Sequence, residues 1–354
     1  MSVVDPISLF DPITVGDLTL PNRIWMAPLT RSRAGVERLP NALMAEYYRQ
    51  RASAGLILSE ATVVSAEGIG YADTPGVWSD AQVEGWRGVT KAVHDAGGHM
   101  FLQLWHVGRV SHPMFLDGAL PVAPSAIAAA GRVSLVRPET LYVVPRALET
   151  SEVKRVVEDF RRGAENAKKA GFDGVELHGA NGYLIDQFLQ SKSNVRTDEY
   201  GGPIENRARL MLEVVDALIA TWGKGRVGVH LAPRGDSHDM GDADPAATFG
   251  YVASELGRRK IAFIAAREHA EAPRLGPAVK KAFGGVFVAN ERMTLESATK
   301  IVEAGEADAA LFGRLFIANP DLPRRFAEKA PLNEARAQLF YRGGAEGYTD
   351  YPSL

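Results

Sequence analysis

The 354-residue chain contains no cysteine, which removes disulfides, thiolate metal sites and cysteine nucleophiles together. Its chemistry must rest on histidine, tyrosine, carboxylates or a bound cofactor. Neither charge dominates, since 40 Lys+Arg stand against 43 Asp+Glu for a net charge of -3. A broadly basic nucleic-acid face is therefore not expected. Long apolar runs are missing too, and the start MSVVDPISLFDP has no basic segment ahead of an apolar core. A soluble, cytoplasmic protein with no membrane partner is the expectation. What remains is globular composition, 46% hydrophobic and 23% charged, which excludes a disordered or collagen-like chain. The length suits one large domain over 1–354 better than two enzyme domains with a linker.

Between residues 24 and 314, eight short apolar runs alternate with helix-patterned sequence. They start at Ile24, Gly55, Met100, Gly174, Val227, Ile261, Val286 and Ala309. Near-continuous apolar strands separated by helices indicate a parallel sheet covered on both faces, and eight such units closing on themselves make an α/β fold of the (β/α)8 TIM barrel type. The helices agree: with Ser151 as candidate N-cap, Val153, Val156, Val157, Phe160, Ala164 and Ala167 share one face until Gly171. Pro203 opens the next helix, which runs to Trp222-Gly223, and Thr294 precedes another that ends at Gly305. A doubly wound sheet is the competing topology, but no G-x-G-x-x-G follows the first strand. Residues 1–22 read as a hairpin turning at Gly16-Asp17 that covers the barrel bottom. Residues 107–149, rich in Pro, Ala and Gly, interrupt the third unit and read as a lid or capping insertion.

Chemistry in such barrels sits at the strand C-termini, and there the polar residues gather. His178 and Asn181, three apart on the turn leaving strand four, can aim two donors at one oxygen, with the Tyr183 phenol nearby. Two donors on a carbonyl stabilise an enolate, and a tyrosine then delivers the proton. A capping turn with a packed tyrosine is the bland reading of the same residues. The Gln103 amide, in an apolar strand, can pair with a ring imide or simply with backbone, and Thr30 can donate to the same ring or merely end its strand. Gly313-Arg314 after strand eight, with Asn290 after strand seven, occupies the place where barrels bind phosphate. For Trp105 and His106, packing under the insertion is an alternative, and it is preferred for His106.

At this point the sequence resembles a known family, from about Leu9 to Pro352. The matching stretches include Asn22-Arg23-Ile24, Met26-Ala27-Pro28-Leu29-Thr30-Arg31, Gln103-Leu104-Trp105-His106-Val107-Gly108-Arg109, and H-G-A-N-G-Y-L-I-D-Q-F-L from His178. Further matches are Ser193-Asn194-Val195-Arg196-Thr197-Asp198, Glu205-Asn206-Arg207, Phe316-Ile317-Ala318-Asn319-Pro320 and Glu346-Gly347-Tyr348-Thr349-Asp350-Tyr351-Pro352. They resemble the Old Yellow Enzyme family of FMN-dependent ene-reductases, and most of all its bacterial nitrate-ester, enone and N-ethylmaleimide reductases. The resemblance implies FMN at the strand ends, lined by Pro28, Leu29, Thr30 and Ala61, with Gln103 on the pyrimidine edge and Gly313 and Arg314 on the phosphate. It further implies that His178 and Asn181 grip the substrate's activating group, that Tyr183 is the proton donor, and that Tyr71, Trp105 and Tyr341 shape the pocket. NADPH or NADH would reduce FMN, and a small-molecule activated alkene would then take hydride from flavin N5. Thr30 stands where one branch of the family has Cys, which places this chain in the other branch. Monomer and homodimer are both compatible with such barrels.

The chain departs from the pattern in four places. His230 replaces an Arg beside the flavin, making stabilisation of the anionic reduced ring pH-dependent. After strand seven a small-residue turn has become Asn290-Glu291-Arg292-Met293, where Glu291 brings negative charge toward the phosphate and Arg292 can compensate. The sixth unit is short, and Arg342 stands beside Tyr341 where relatives carry Gly. Together these predict weakened FMN binding, with a flavin-poor binding or regulatory barrel as the alternative function. A metal-dependent hydrolase using His178 and His230 ranks lower, because no carboxylate pattern completes the site. No metal is expected.

Overall fold

The computed structural model describes residues 7–269 and 273–354. All eight runs form barrel strands: β1 (Ile24–Met26), β2 (Ile57–Leu58), β3 (Met100–Trp105), β4 (Gly174–Gly179), β5 (Val227–Leu231), β6 (Phe263–Arg267), β7 (Val286–Asn290) and β8 (Ala309–Phe312). Each pairs in parallel with the next in chain order, and β8 returns to β1 with Leu311 opposite Trp25. The sheet therefore closes, and helices cover its outside. Strand six begins two residues later than its apolar run.

The lower interior is apolar and aromatic. Trp25 meets Phe263 edge-on with centroids 5.3 Å apart, and Phe101 packs on Phe263 at 5.9 Å. Space for those rings comes from glycine: a Cβ at Gly174 would fall 2.3 Å from the Phe101 ring, and one at Gly228 would fall 2.2 Å from Phe263. Below them lies the expected hairpin, Ile13–Val15 paired with Leu18–Leu20. Gly16 turns it at φ +56°, and a Cβ there would lie 2.0 Å from the Gly225 carbonyl oxygen, so glycine is required twice over. Ile13, Val15 and Leu20 join the same cluster, each contributing roughly 1.5–3 kcal/mol through burial. Residues 1–6 of the predicted lead-in lie outside the described residues.

Helix Thr150–Lys169 buries Val153, Val156, Phe160, Ala164 and Ala167 as its spacing predicts. Its start differs: Glu152 accepts from the Glu149 backbone N–H at 2.8 Å, which makes Glu149 the cap and leaves Ser151 in the first turn. The segment from Pro203 divides at Ala208 into Ile204–Arg207 and Arg209–Trp222. Thr294 caps Leu295–Glu303 reciprocally with Ser297. The sixth helix, Gly276–Phe283, has only 8 residues. Within the insertion, Val122–Ala123 pairs with Arg146–Ala147. Val107, Val110, Val133 and Tyr142 of the insertion pack with Ala61, Val63 and Trp105 over the β2–β3 side of the mouth. Among the described residues, no helix is long and apolar enough to cross a membrane.

Candidate active site

His178 is the penultimate residue of β4, and the chain then turns through Asn181 (φ +59°) and Gly182 (φ +77°) to Tyr183, which caps helix Leu184–Leu189. Two buried side chains hold this turn. The Asp186 carboxylate accepts from the Gly182 N–H at 2.9 Å, and Gln187 Nε2 donates to the carbonyls of Gly182 at 2.7 Å and Val107 at 3.0 Å. His178 is buried and its Nδ1 has no partner. Burial, reinforced by His230 and Arg267, pushes its pKa well below the usual histidine value, so the ring is neutral. The Tyr183 hydroxyl lies 2.9 Å from the Tyr71 hydroxyl. Its ring stands edge-on to His178 and Trp105, both with centroids 5.0 Å away. Burial raises the Tyr183 and Tyr71 pKa values, which keeps both phenols protonated. His178 and Tyr183, which the spacing singles out, are thus brought together with Tyr71 and Trp105, which the resemblance implies, and Asn181 lies on the turn between the first two.

Tyr341 is 46% exposed and close enough to Tyr183 to contribute to that upward shift. Its segment is fastened by arginines from the loop after β1. Arg31 donates to the carbonyls of Phe340 at 3.0 Å and Gly347 at 2.8 Å, and Arg33 donates to Phe340 at 2.8 Å.

Inside the mouth runs a row of polar side chains. Gln103 Nε2 donates to Glu176 at 2.7 Å, the other Glu176 oxygen lies 3.2 Å from His230 Nδ1, and His230 Nε2 lies 3.1 Å from Asn290 Nδ2. Asn290 Oδ1 accepts from the Glu291 N–H at 2.8 Å, so its amide N–H faces the imidazole. Nε2 of His230 is then the acceptor, and Nδ1 carries the proton toward Glu176. Sequence reasoning missed Glu176, although a carboxylate in the middle of an apolar strand was the signal for it.

On the opposite side of the mouth Arg31 and Arg33 are hydrogen-bonded, but among the described residues the Thr30 and Arg314 side chains are not. Pro28, Leu29 and Thr30 stay partly exposed after β1, and Ala61 is buried after Glu60. Burial pushes Glu60 up to about 7. Gly313 opens helix Arg314–Ala318 beside Leu29. The Thr30 hydroxyl and the exposed Arg314 guanidinium have no hydrogen-bond or ion-pair partner among the described residues.

One expectation needs correcting. Arg292 points outward with a side chain 81% exposed and only approaches Glu291, at 3.5 Å. Glu291 is held instead by Arg267, the last residue of β6, because the chain turns at φ +109° and +50° through residues 291 and 292 and swings Arg292 away. Arg267 was not foreseen. His106 is buried with its Nδ1 accepting from the Gly108 N–H, which matches the packing reading. A cavity of about 380 Å³ lies beside the short sixth helix, lined by Gly276, Phe287, Met293 and Ile301, and of the predicted site residues only Asn290 reaches it. His178 and His230 have centroids 6.2 Å apart, and among the described residues no three His, Asp or Glu side chains are grouped to hold a metal.

The geometry has close counterparts. The chain is 49% identical to the Old Yellow Enzyme homologue from Zymomonas mobilis, with a TM-score of 0.96 covering 98% of this chain and 100% of that one. It is 48% identical to morphinone reductase, solved in complex with tetrahydroNAD, with a TM-score of 0.95 and 98% of each chain covered. It is also 42% identical over 374 residues to 12-oxophytodienoate reductase 1 of Oryza sativa subsp. japonica, covering 98% of this chain and 93% of the relative. The family model described as NADH:flavin oxidoreductase / NADH oxidase matches residues 8–333, and with these likenesses the chain belongs to that family, in its Old Yellow Enzyme group.

Proposed function

We propose that this chain is an FMN-dependent NAD(P)H ene-reductase in which His178 and Asn181 bind the activating carbonyl or nitro group and Tyr183 protonates the α-carbon. The observation that carries the residue roles is the buried, unpartnered Nδ1 of His178, whose ring stands edge-on to Tyr183 of the Tyr183–Tyr71 hydroxyl pair. The polar groups around the mouth suit FMN. Thr30 and Arg314 have uncommitted donors, and Gln103, its N–H given to Glu176, keeps Oε1 for an imide N–H. Pro28, Leu29 and Ala61 would line the ring, Gly313 and Arg314 the phosphate, and His230 and Asn290 the remaining edge, with Arg292 turned outward. When bound, FMN supplies the two-electron hydride chemistry.

The protein's own contribution is electrostatic. Being neutral, His178 is a hydrogen-bond donor that does not protonate the substrate, and with Asn181 it polarises the carbonyl and stabilises the developing enolate. Tyr183 gives its proton to the α-carbon, and the Tyr71 hydroxyl remains to solvate the phenolate left behind. Trp105, Tyr71 and Tyr341 wall the pocket, and the 107–149 insertion covers it from the β2–β3 side of one domain spanning 1–354. The reading carries a cytoplasmic setting, small-molecule activated alkenes as substrates, and no nucleic-acid or membrane partner. The purified protein, loaded with FMN, is expected to show a flavin spectrum that NADPH or NADH bleaches and 2-cyclohexenone restores. A bleached flavin that the enone leaves unchanged defeats the proposal.

A further inference from the structure

We propose that Arg267 is a positioning residue that decides which end of the Asn181 amide faces the substrate and ties that amide to the loop after β7. The inference rests on the reading of Asn181 as a carbonyl donor. An asparagine amide can be turned either way, and only one way offers N–H to a carbonyl. A guanidinium has no acceptor, so with Arg267 Nη1 at 2.9 Å the Asn181 oxygen must turn toward it. Nδ2 is left for the pocket. The backbone carbonyl of Asn181 accepts from His238 Nδ1 at 2.9 Å, so the residue is fixed at both ends despite its left-handed φ.

Arg267 is itself anchored by the Glu291 carboxylate. Glu291 sits at φ +109°, which is unusual for a residue with a side chain, and its N–H donates to Asn290 Oδ1. Asn290 in turn reaches His230 and, through it, Glu176 and Gln103. Arg267 therefore joins the substrate-side turn to the inner polar row. Its planar fork addresses two partners at once, a geometry that a lysine does not reproduce.

The test uses the FMN-loaded enzyme with 4-nitrophenol, whose oxygen mimics the enolate and whose ionisation is read by difference absorbance, alongside KM for 2-cyclohexenone. Arg267→Met is expected to weaken 4-nitrophenol binding and raise KM about tenfold, the scale of one charge-assisted hydrogen bond, and to raise the apparent pKa of the bound phenol. Glu291→Gln, which loosens the anchor without touching Asn181, should move the same readouts about threefold and keeps the test available if the methionine variant does not fold. In an Asn181→Ala background, either substitution should cost less than about twofold. An undiminished effect in that background, or no effect in the wild type while Asn181→Ala alone weakens binding, overturns the role of Arg267. If Asn181→Ala leaves 4-nitrophenol binding unchanged, the donor assignment of Asn181 falls, and this inference falls with it.

Discussion

The two sides of the barrel mouth differ in how their polar groups are satisfied. From β3 to β7 an inner row is already paired, Gln103 with Glu176, Glu176 with His230, His230 with Asn290 and Glu291 with Arg267, while His178 Nδ1 stays open. Around β8 and β1, Thr30 and Arg314 wait with open donors. A wired side is preorganised and does not rearrange when a ligand arrives. Thr30 and Arg314 gain their hydrogen bonds only from a ligand, so affinity for the phosphate end of a flavin should be concentrated there.

The largest break in this comparison is Tyr183→Phe, which removes the acid from the wired side. Alkene reduction should slow by about 10²–10⁴, while bleaching of the flavin by NADPH, followed by stopped flow, stays near the wild-type rate. Equal slowing of both half-reactions contradicts the assignment. Next, Glu176→Leu strips two buried donors of their acceptor and should cost about 3 kcal/mol in urea unfolding. Arg314→Ala should do the reverse: stability without flavin stays within about 0.5 kcal/mol, while Kd for FMN, followed by flavin fluorescence, rises about tenfold or more. A large loss of apo stability would mean that Arg314 has a structural role.

The smallest effect is a pH dependence. Burial pushes His106 down to about 3. A histidine whose folded pKa is depressed contributes stability that is full above its unfolded pKa of about 6.5 and lost as pH falls toward 3. Between pH 6.5 and 5.0, His106→Gln should therefore gain roughly 2 kcal/mol relative to wild type. Asp186, pushed up to about 7 by burial, acts with the opposite sign, since its stability is present in acid and lost as pH rises through 7. The difference between variant and wild type, rather than the raw profile, is what urea midpoints should report, and a flat difference refutes the His106 assignment.

The barrel was legible because its strands are buried on both faces and their apolar runs are nearly unbroken, from Ile24 to Phe312. The substrate-side residues were legible for a related reason, since polar groups at the ends of such runs stand out. Glu176 and Arg267 were not found. Their roles depend on which strands become neighbours: Glu176 lies between Gln103 and His230 only after β3, β4 and β5 are side by side. Arg267 meets Asn181 and Glu291 only across the closed mouth. The swing of Arg292 away from the site was equally hidden, because φ values of +109° and +50° in non-glycine residues are not written in the residue types. The Glu149 cap was missed because serine is the commoner capping residue, whereas here the reach of Glu152 decides.

Closure of the barrel by β8 against β1 also has a consequence during synthesis. Thr30 leaves the ribosome early and Arg314 near the end, and at about 5–20 residues per second the first waits many seconds for the second. A chain in which β8 has not yet formed has no closed barrel, so the part of the mouth between β8 and β1 is the last to take shape.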